Sequence, residues 1–483
     1  MFKNSESAAD NQSFRKILSG AGMLTVARVA GDLASALLFI FVSRAFGVEG
    51  VGLYAYAFAV AQIAQLIVDF GFVDYGLREY SRTDEPMRQR ILANAISLQL
   101  FFLAIVSLGL WAYLSLTNAD PQTASLVCLL ALYQILLNFF LMLITPAISS
   151  QRMAAPALTE IVFRVGGAIV AIGLISIGGM GIVVSLSALP LSALGMVVAS
   201  VFIARRFNGP LRLGIDRGVA LPMVRPAATF AASSIIVGLY AKLGLIILIF
   251  LEGKAAAGTF ATGLKLVDLG MAPLLFLGIA VFPRLARSFG SDAADMMRVA
   301  AQYVRLTFIL GILVCWGMIF VVPPVLPYLL GPDFAEAGPA VMLMGVVALL
   351  TALDSAAYRL MWVTHQQERR LRIQVISLLV NVILNFSLIP VFGVTGAICA
   401  AILTLCLMLV LAAGPINSSV PSKNWKPIMR ACLLPTLSGL AVGAVASMLS
   451  MPVWFAASAT LLTLISTGRI FGLLDLDLLR TPV

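Results

Sequence analysis

Charge is what this chain has least of. Only 11% of its 483 residues are Asp, Glu, Lys or Arg, against about 25% in soluble domains. Meanwhile 61% are hydrophobic and the mean hydropathy is +1.02. A surface so short of charge faces lipid, so the chain reads as an integral membrane protein. Histidine is nearly missing: His365 stands alone and in a loop, which excludes a His-rich metal site and any Ser/His/Asp arrangement. The five cysteines (Cys128, Cys315, Cys399, Cys406, Cys432) all sit in apolar runs and none has CxxC spacing. They read as small buried hydrophobes rather than as disulfides or metal ligands. No G-x-x-x-x-G-K-[ST] loop occurs, which excludes a P-loop nucleotide hydrolase. The large extracytoplasmic loop that membrane glycosyltransferases and ligases use is missing as well, the longest candidate being about residues 326–336. The expectation is no enzyme, no cofactor and no metal.

What the chain does have is long apolar runs. A spanning helix needs about 20 such residues, and a β-barrel would show short alternating segments instead. Apolar windows fall at roughly 20–46, 51–74, 89–116, 123–147, 155–178, 181–204, 226–251, 256–283, 299–325, 337–363, 371–392, 394–415, 428–450 and 452–471. The first is too long for a cleaved signal peptide and reads as a retained span. The net charge of +10 is spread over alternate loops: Arg78 to Arg90, Arg152, Arg205 to Arg225, Arg284 to Arg298, Arg369 to Arg372, and Lys423 to Arg430. The turns between hold almost none, Arg44 and Lys254 being the exceptions. That distribution follows the positive-inside rule and argues against a nucleic-acid partner. It predicts an all-α membrane protein of 14 transmembrane helices with both termini cytoplasmic.

The organisation follows from the same charges. Residues 1–19 form a polar cytoplasmic tail and residues 20–205 an N-lobe of six helices. The basic linker 206–225, with Asn208-Gly209-Pro210, separates it from a C-lobe at 226–415. Residues 416–483 add a helix pair and a tail. An internal repeat supports two lobes. Gly47, Gly52 and Arg78 map onto Gly253, Gly258 and Arg284 with one common shift, since 253 − 47, 258 − 52 and 284 − 78 all equal 206. Duplicated transporter lobes leave such similarity. Pro146, Pro190 and Pro273 interrupt spans and are candidate hinges or ordinary membrane-helix kinks.

An ionisable side chain at mid-membrane costs at least ~2.5–3.5 kcal/mol, so each needs a partner or a wet cavity. Arg28/Asp32 and Glu160/Arg164 are spaced i,i+4 and Lys265/Asp268 i,i+3, so each pair shares a helix face and could simply neutralise itself. Lys242 has no acid within four residues. It lies roughly 24 Å into its span at 1.5 Å per residue, so it needs a partner from elsewhere. Five basic residues, Arg28, Arg164, Lys242, Lys265 and Arg359, are thus expected to converge on one cavity. Gln62, Gln65, Asn94, Gln99, Asn138, Asn381 and Asn385 supply polar groups that bind sugars or bond helix to helix.

Three stretches carry a family resemblance. The Arg44–Gly47–Gly50–Gly52–Tyr54 turn, followed by Asp69-Phe70-Gly71 and Arg78, resembles the first hairpin of the polysaccharide flippases, the Wzx-type O-antigen transporters. The segment Gly258 to Arg287, with Phe282-Pro283-Arg284, is similar to their eighth helix. Asn381 to Ile402 is similar to their Asn-rich eleventh helix and its Gly-x-x-Gly turn at Gly393 and Gly396, a turn repeated at Gly178 and Gly181. The resemblance implies two six-helix lobes in a V around a central cavity. It implies a polyprenyl-diphosphate-linked oligosaccharide moved to the outer leaflet of the bacterial inner membrane. Its implied partners are membrane lipids, a polysaccharide polymerase and chain-length proteins. Arg28, Arg164, Lys242, Lys265 and Arg359 would then bind the diphosphate, Arg by planar forks and Lys as a point charge. Without a nucleotide site, an ion gradient or the membrane potential must drive transport. Asp268, one turn from Lys265, and Asp354, five residues before Arg359, are the expected coupling carboxylates. Asp69 is a third, its place near a helix end suiting a gate or a cap. A lipid II flippase, a cation-coupled multidrug exporter and a membrane-embedded polymerase or scaffold are the competing readings. The basic residues in the spans count against the exporter.

Overall fold

The computed structural model describes residues 2–419, except 81 and 289–292, together with residues 438, 458, 462, 463 and 466. Apart from those five residues, the two expected spans at 428–450 and 452–471 lie outside the described residues. The described chain is helical, and no strand occurs among the described residues. By contact it divides into two compact units: residues 1–46 with 53–242, and residues 47–52 with 243–483.

The first unit is built from α1 (Phe2–Asp69), α2 (Phe72–Tyr80), α3 (Glu85–Leu116), α4 (Pro121–Ser149), α5 (Ala154–Glu160), α6 (Gly166–Ile177), α7 (Ile182–Leu186), α8 (Ala188–Asn208) and the start of α9 (Arg217–Ser288). Helix starts follow local chemistry. At α4, Asp120 accepts from the Thr123 N–H at 3.1 Å and from the Thr123 hydroxyl at 2.6 Å, with Pro121 at the first helical position. The helix containing Pro190 breaks at Ser187 into α7 and α8, just ahead of that proline. The polar residues 2–19 continue α1 as helix. In the core, Phe72, Tyr80 and Leu92 cluster with Met142 of α4, which lies along α8. The Tyr80 hydroxyl donates to Asn208 Oδ1 at 3.0 Å.

The second unit holds the rest of α9, then α10 (Ala293–Trp316), α11 (Val322–Leu330), α12 (Gly338–Val363) and α13 (Gln367–Ser419). Five-residue π-helical turns join α5 to α6 (Ile161–Val165) and α10 to α11 (Gly317–Val321). Phe308, Ile312 and Trp316 of α10 form a core with Leu349 and Leu353 of α12. Large apolar side chains also cover the outside, Trp111 at 67% and Val410 at 71% exposure among them, as a lipid-facing surface requires.

Nine helical stretches among the described residues are long and apolar enough to cross a membrane. Three of them each cover two expected windows, and each is broken inside by one glycine: Gly47 (φ 63°), Gly253 (φ 89°) and Gly393 (φ 54°). A positive φ lets a single glycine reverse the backbone where other residues would be strained. Gly47 and Gly253 are the pair related by the 206-residue shift, so the repeat reaches the backbone. Its partners Gly52 and Gly258 face each other's turn within the second unit. A Cβ on Gly52 would strike the Lys254 carbonyl, and a Cβ on Gly258 the Val48 carbonyl. Since 254 − 48 is also 206, the contact is symmetric under the repeat.

Candidate functional site

In the first unit three helices bring charge together. Arg164 lies in the π-helical turn after α5, an irregularity that often marks functional sites. Its Nη2 donates to Asp32 Oδ1 of α1 at 2.8 Å, and its Nη1 to Glu160 Oε1 at 3.2 Å. Tyr133 of α4 adds a phenol in electrostatic range of the same guanidinium, and Arg28 adds positive charge in electrostatic range of Glu160. Room for the guanidinium comes from Gly31, where a Cβ would stand 2.7 Å from Arg164 Cδ. The side chain of Glu160 is 8% exposed and that of Asp32 64%, so the group grades from a buried to an open end. Glu160 Oε2 has no partner. The first unit's two expected one-helix pairs thus resolve differently. Glu160 and Arg164 do pair, whereas Asp32 bonds across to Arg164 and not to Arg28. Arg164 joins helices 132 residues apart in sequence, and nothing in either helix's periodicity announces that contact.

In the second unit Asp354, expected as a coupling carboxylate with Arg359 five residues on, has its ion pair with another base. Asp354 is held by Arg370 at the start of α13, through two bonds of 2.8 and 2.6 Å. This fork-to-fork geometry is the strongest available to the pair. Arg370 is 5% exposed and also lies over the Tyr358 ring at 5.5 Å, with Trp362 edge-on to that ring at 5.3 Å between centroids. Arg370 escaped notice because it counts among the basic loop residues by sequence. Arg359 instead fills the space above Gly278, in electrostatic range of Tyr303.

The remaining expected residues are placed as follows. Lys242 is half-buried in the first unit; Lys265 is half-buried and Asp268 exposed, one turn apart on α9 in the second. Asp69 Oδ1 accepts from the Val73 N–H at the start of α2 and from Gln99 Nε2, both at 3.3 Å, which is the geometry of a cap. Several polar groups tie helices together: Gln65 Nε2 donates to Asn138 Oδ1 at 3.1 Å, and Asn381 Nδ2 to Thr404 Oγ1 at 3.0 Å. Asn385 donates to Asn381 Oδ1 at 2.9 Å. Among the described residues no group of three His, Cys, Asp or Glu is placed to hold a metal ion.

Chemically, a guanidinium carries five N–H donors, and Arg164 directs its two Nη groups at two carboxylates. A phosphate oxygen can take the place of a carboxylate oxygen, so the group can exchange an internal anion for an external one. Protonation of a carboxylate would have the same releasing effect.

Comparison with known proteins places the fold and the family. The chain shares the fold of solved membrane transporters. One is the lipid II flippase MurJ in an inward closed conformation (13% identity, 95% of this chain and 99% of that one, TM-score 0.75). Another is an inward-facing multidrug-resistance transporter of the MATE family (16% identity, 83% of this chain and all of that one, TM-score 0.63). Two curated relatives align over part of their length. A Haloferax volcanii protein named as the flippase AglR is 27% identical over 185 residues, 38% of this chain and 39% of that protein. A Shigella dysenteriae protein named as an O-antigen transporter is 23% identical over 189 residues, 39% of this chain and 47% of that one. The matched segment thus spans less than half the length of either relative. A family model described as "Polysaccharide biosynthesis protein" matches residues 17–289, a stretch that holds Arg28, Asp32, Glu160, Arg164 and both repeat glycine pairs. This multi-pass helical membrane protein belongs to the polysaccharide biosynthesis protein family.

Proposed function

We propose that this chain flips a polyprenyl-diphosphate-linked oligosaccharide from the cytoplasmic to the outer leaflet of a bacterial inner membrane, for O-antigen, capsule or exopolysaccharide synthesis. The observation that carries the reading is the Asp32–Arg164–Glu160 group. In a member of this family it offers a guanidinium at membrane depth whose anionic partners can be exchanged for a diphosphate. The proposal includes 14 spans, both termini cytoplasmic, and two six-helix lobes around a central cavity, with the last helix pair outside them. Arg28, Arg164, Lys242, Lys265 and Arg359 line that cavity. Coupling falls to Asp268, which is exposed beside Lys265. Asp354 acts with Arg370 as a clamp, and Asp69 as a cap. A polysaccharide polymerase and chain-length proteins receive the product.

The experiment is deletion of the gene in its native host. Lipid-linked repeat units should then accumulate facing the cytoplasm while surface polysaccharide is lost. Wild type should restore export, and Arg164→Gln should not, at equal abundance in the membrane. Full restoration by Arg164→Gln would remove the guanidinium from the mechanism. A second reading, lipid II flipping, is favoured by the likeness to MurJ over 95% of this chain. Rescue of growth after depletion of the host's lipid II flippase would select it.

A further inference from the structure

Residues 209–216, between α8 and α9, form a strap without regular structure whose backbone is nevertheless fixed. The Gly214 N–H donates to Ser97 Oγ at 3.0 Å, and the Asp216 N–H to Asn94 Oδ1 at 2.8 Å. Both acceptors lie on α3, and Asn94 is buried. Leu211 packs against the first unit's core. Asp216 also accepts from the Gly218 N–H at 2.9 Å and stands 3.9 Å from Arg90. Asn94 and Ser97 lie 9 and 12 residues past Glu85, roughly 14 and 18 Å along α3 at 1.5 Å per residue. The strap is therefore pinned against the flank of a spanning helix, well beyond that helix's first turns.

Its outward side chains fit no aqueous surface. Leu213 and Ile215 are 68% and 58% exposed, and Leu221 just beyond is 70% exposed. Around them Arg205, Arg206, Arg212, Arg217 and Arg225 are all exposed. Against the single Asp216 these give residues 205–225 a charge of 5 − 1 = +4. Apolar side chains flanked by arginines suit a depth where acyl chains meet phosphates, with arginine stems in the hydrocarbon and guanidiniums at the headgroups.

We propose that this strap is a binding surface for anionic phospholipid headgroups of the leaflet it faces. Arg212 and Arg217 meet the phosphates, and Leu213 and Ile215 sit among the acyl chains. The assignment rests on the chain's place in a membrane and goes beyond its cargo. A basic residue near an anionic surface contributes about 1 kcal/mol, so losing two should lower the preference for anionic lipid about thirtyfold, 1.36 kcal/mol being tenfold.

The test is lipid retention by the purified full-length protein, measured by native mass spectrometry with phosphatidylglycerol and phosphatidylcholine in competition. Wild type should retain phosphatidylglycerol preferentially, and less so when ionic strength rises from about 0.1 to 0.5 M, because salt screens exposed charges. Arg212→Gln with Arg217→Gln should remove most of the preference, and the matching Lys pair should keep it. Leu213→Ser with Ile215→Ser should weaken retention of both lipids alike. Equal retention of the two lipids by wild type, a salt-independent preference, or full preference in the Gln pair would each overturn the proposal. Should the Gln pair fail to fold, the wild-type comparison and the Lys pair still decide it. No sugar lipid enters the measurement, so its failure and a failure of the flippase reading are separate results.

Discussion

Arg164 is held by groups that each lack something without it. Glu160 is buried with one oxygen already unpartnered, and Asp32 has its bond from nowhere else on its own helix. The geometry depends on Gly31. Carbon atoms prefer separations of about 3.5–4.0 Å, and a methyl on Gly31 would stand 2.7 Å from Arg164 Cδ. Gly31→Ala must therefore displace the guanidinium by about 1 Å, a misplacement that can be expensive in a functional site. Transport should fall roughly tenfold while abundance holds, as measured by surface polysaccharide against membrane protein level. In the second unit, Asp354→Ala would strand the Arg370 guanidinium, whose side chain is 6% exposed, at a cost of about 3–5 kcal/mol. The melting temperature should drop, and adding Arg370→Met should recover much of it. A variant with full stability and no transport would instead make Asp354 a coupling residue.

At the scale of elements, the glycine breaks were legible and the cross-helix contacts were not. Gly47 and Gly253 stand out in sequence because a turn between apolar runs needs a residue that tolerates positive φ, and the 206-residue repeat marks both. The Gly52–Lys254 and Gly258–Val48 approach follows from the repeat only once the backbones are placed. Ala at either position pushes the same two turns apart. Gly52→Ala and Gly258→Ala should therefore each lower the melting temperature, and the double variant should lose less than the sum. A double-mutant cycle reads this directly. Simple additivity would mean the two glycines act independently. The Asp32–Arg164 bond was hidden for a different reason. Spacing within one helix suggested Arg28 as the partner, while the real bond crosses 132 residues and depends on a π-helical turn. The Asp354–Arg370 clamp was hidden likewise, since a basic residue after a span looks like a topology signal until its burial is known.

At the scale of the whole molecule, composition alone indicated a lipid-facing helical chain, and loop charge indicated its orientation. The orientation can be tested with single cysteines in a background without the five native ones. A cysteine at Arg206 should stay protected from an impermeant thiol reagent added outside intact cells. One at exposed Asp333 should react. Labelling at 206 from outside would reverse the proposed topology. The central claim is movement of a lipid-linked saccharide, and the most direct measurement is made in proteoliposomes. Purified protein is reconstituted with a fluorescent polyprenyl-diphosphate oligosaccharide under an imposed ion gradient, and a glycosidase is added outside. The account predicts cleavage beyond the externally exposed fraction of protein-free vesicles, abolished by Arg164→Gln and no longer responsive to the gradient in Asp268→Asn. Cleavage no greater than in protein-free vesicles, with correctly folded wild-type protein present, would contradict it.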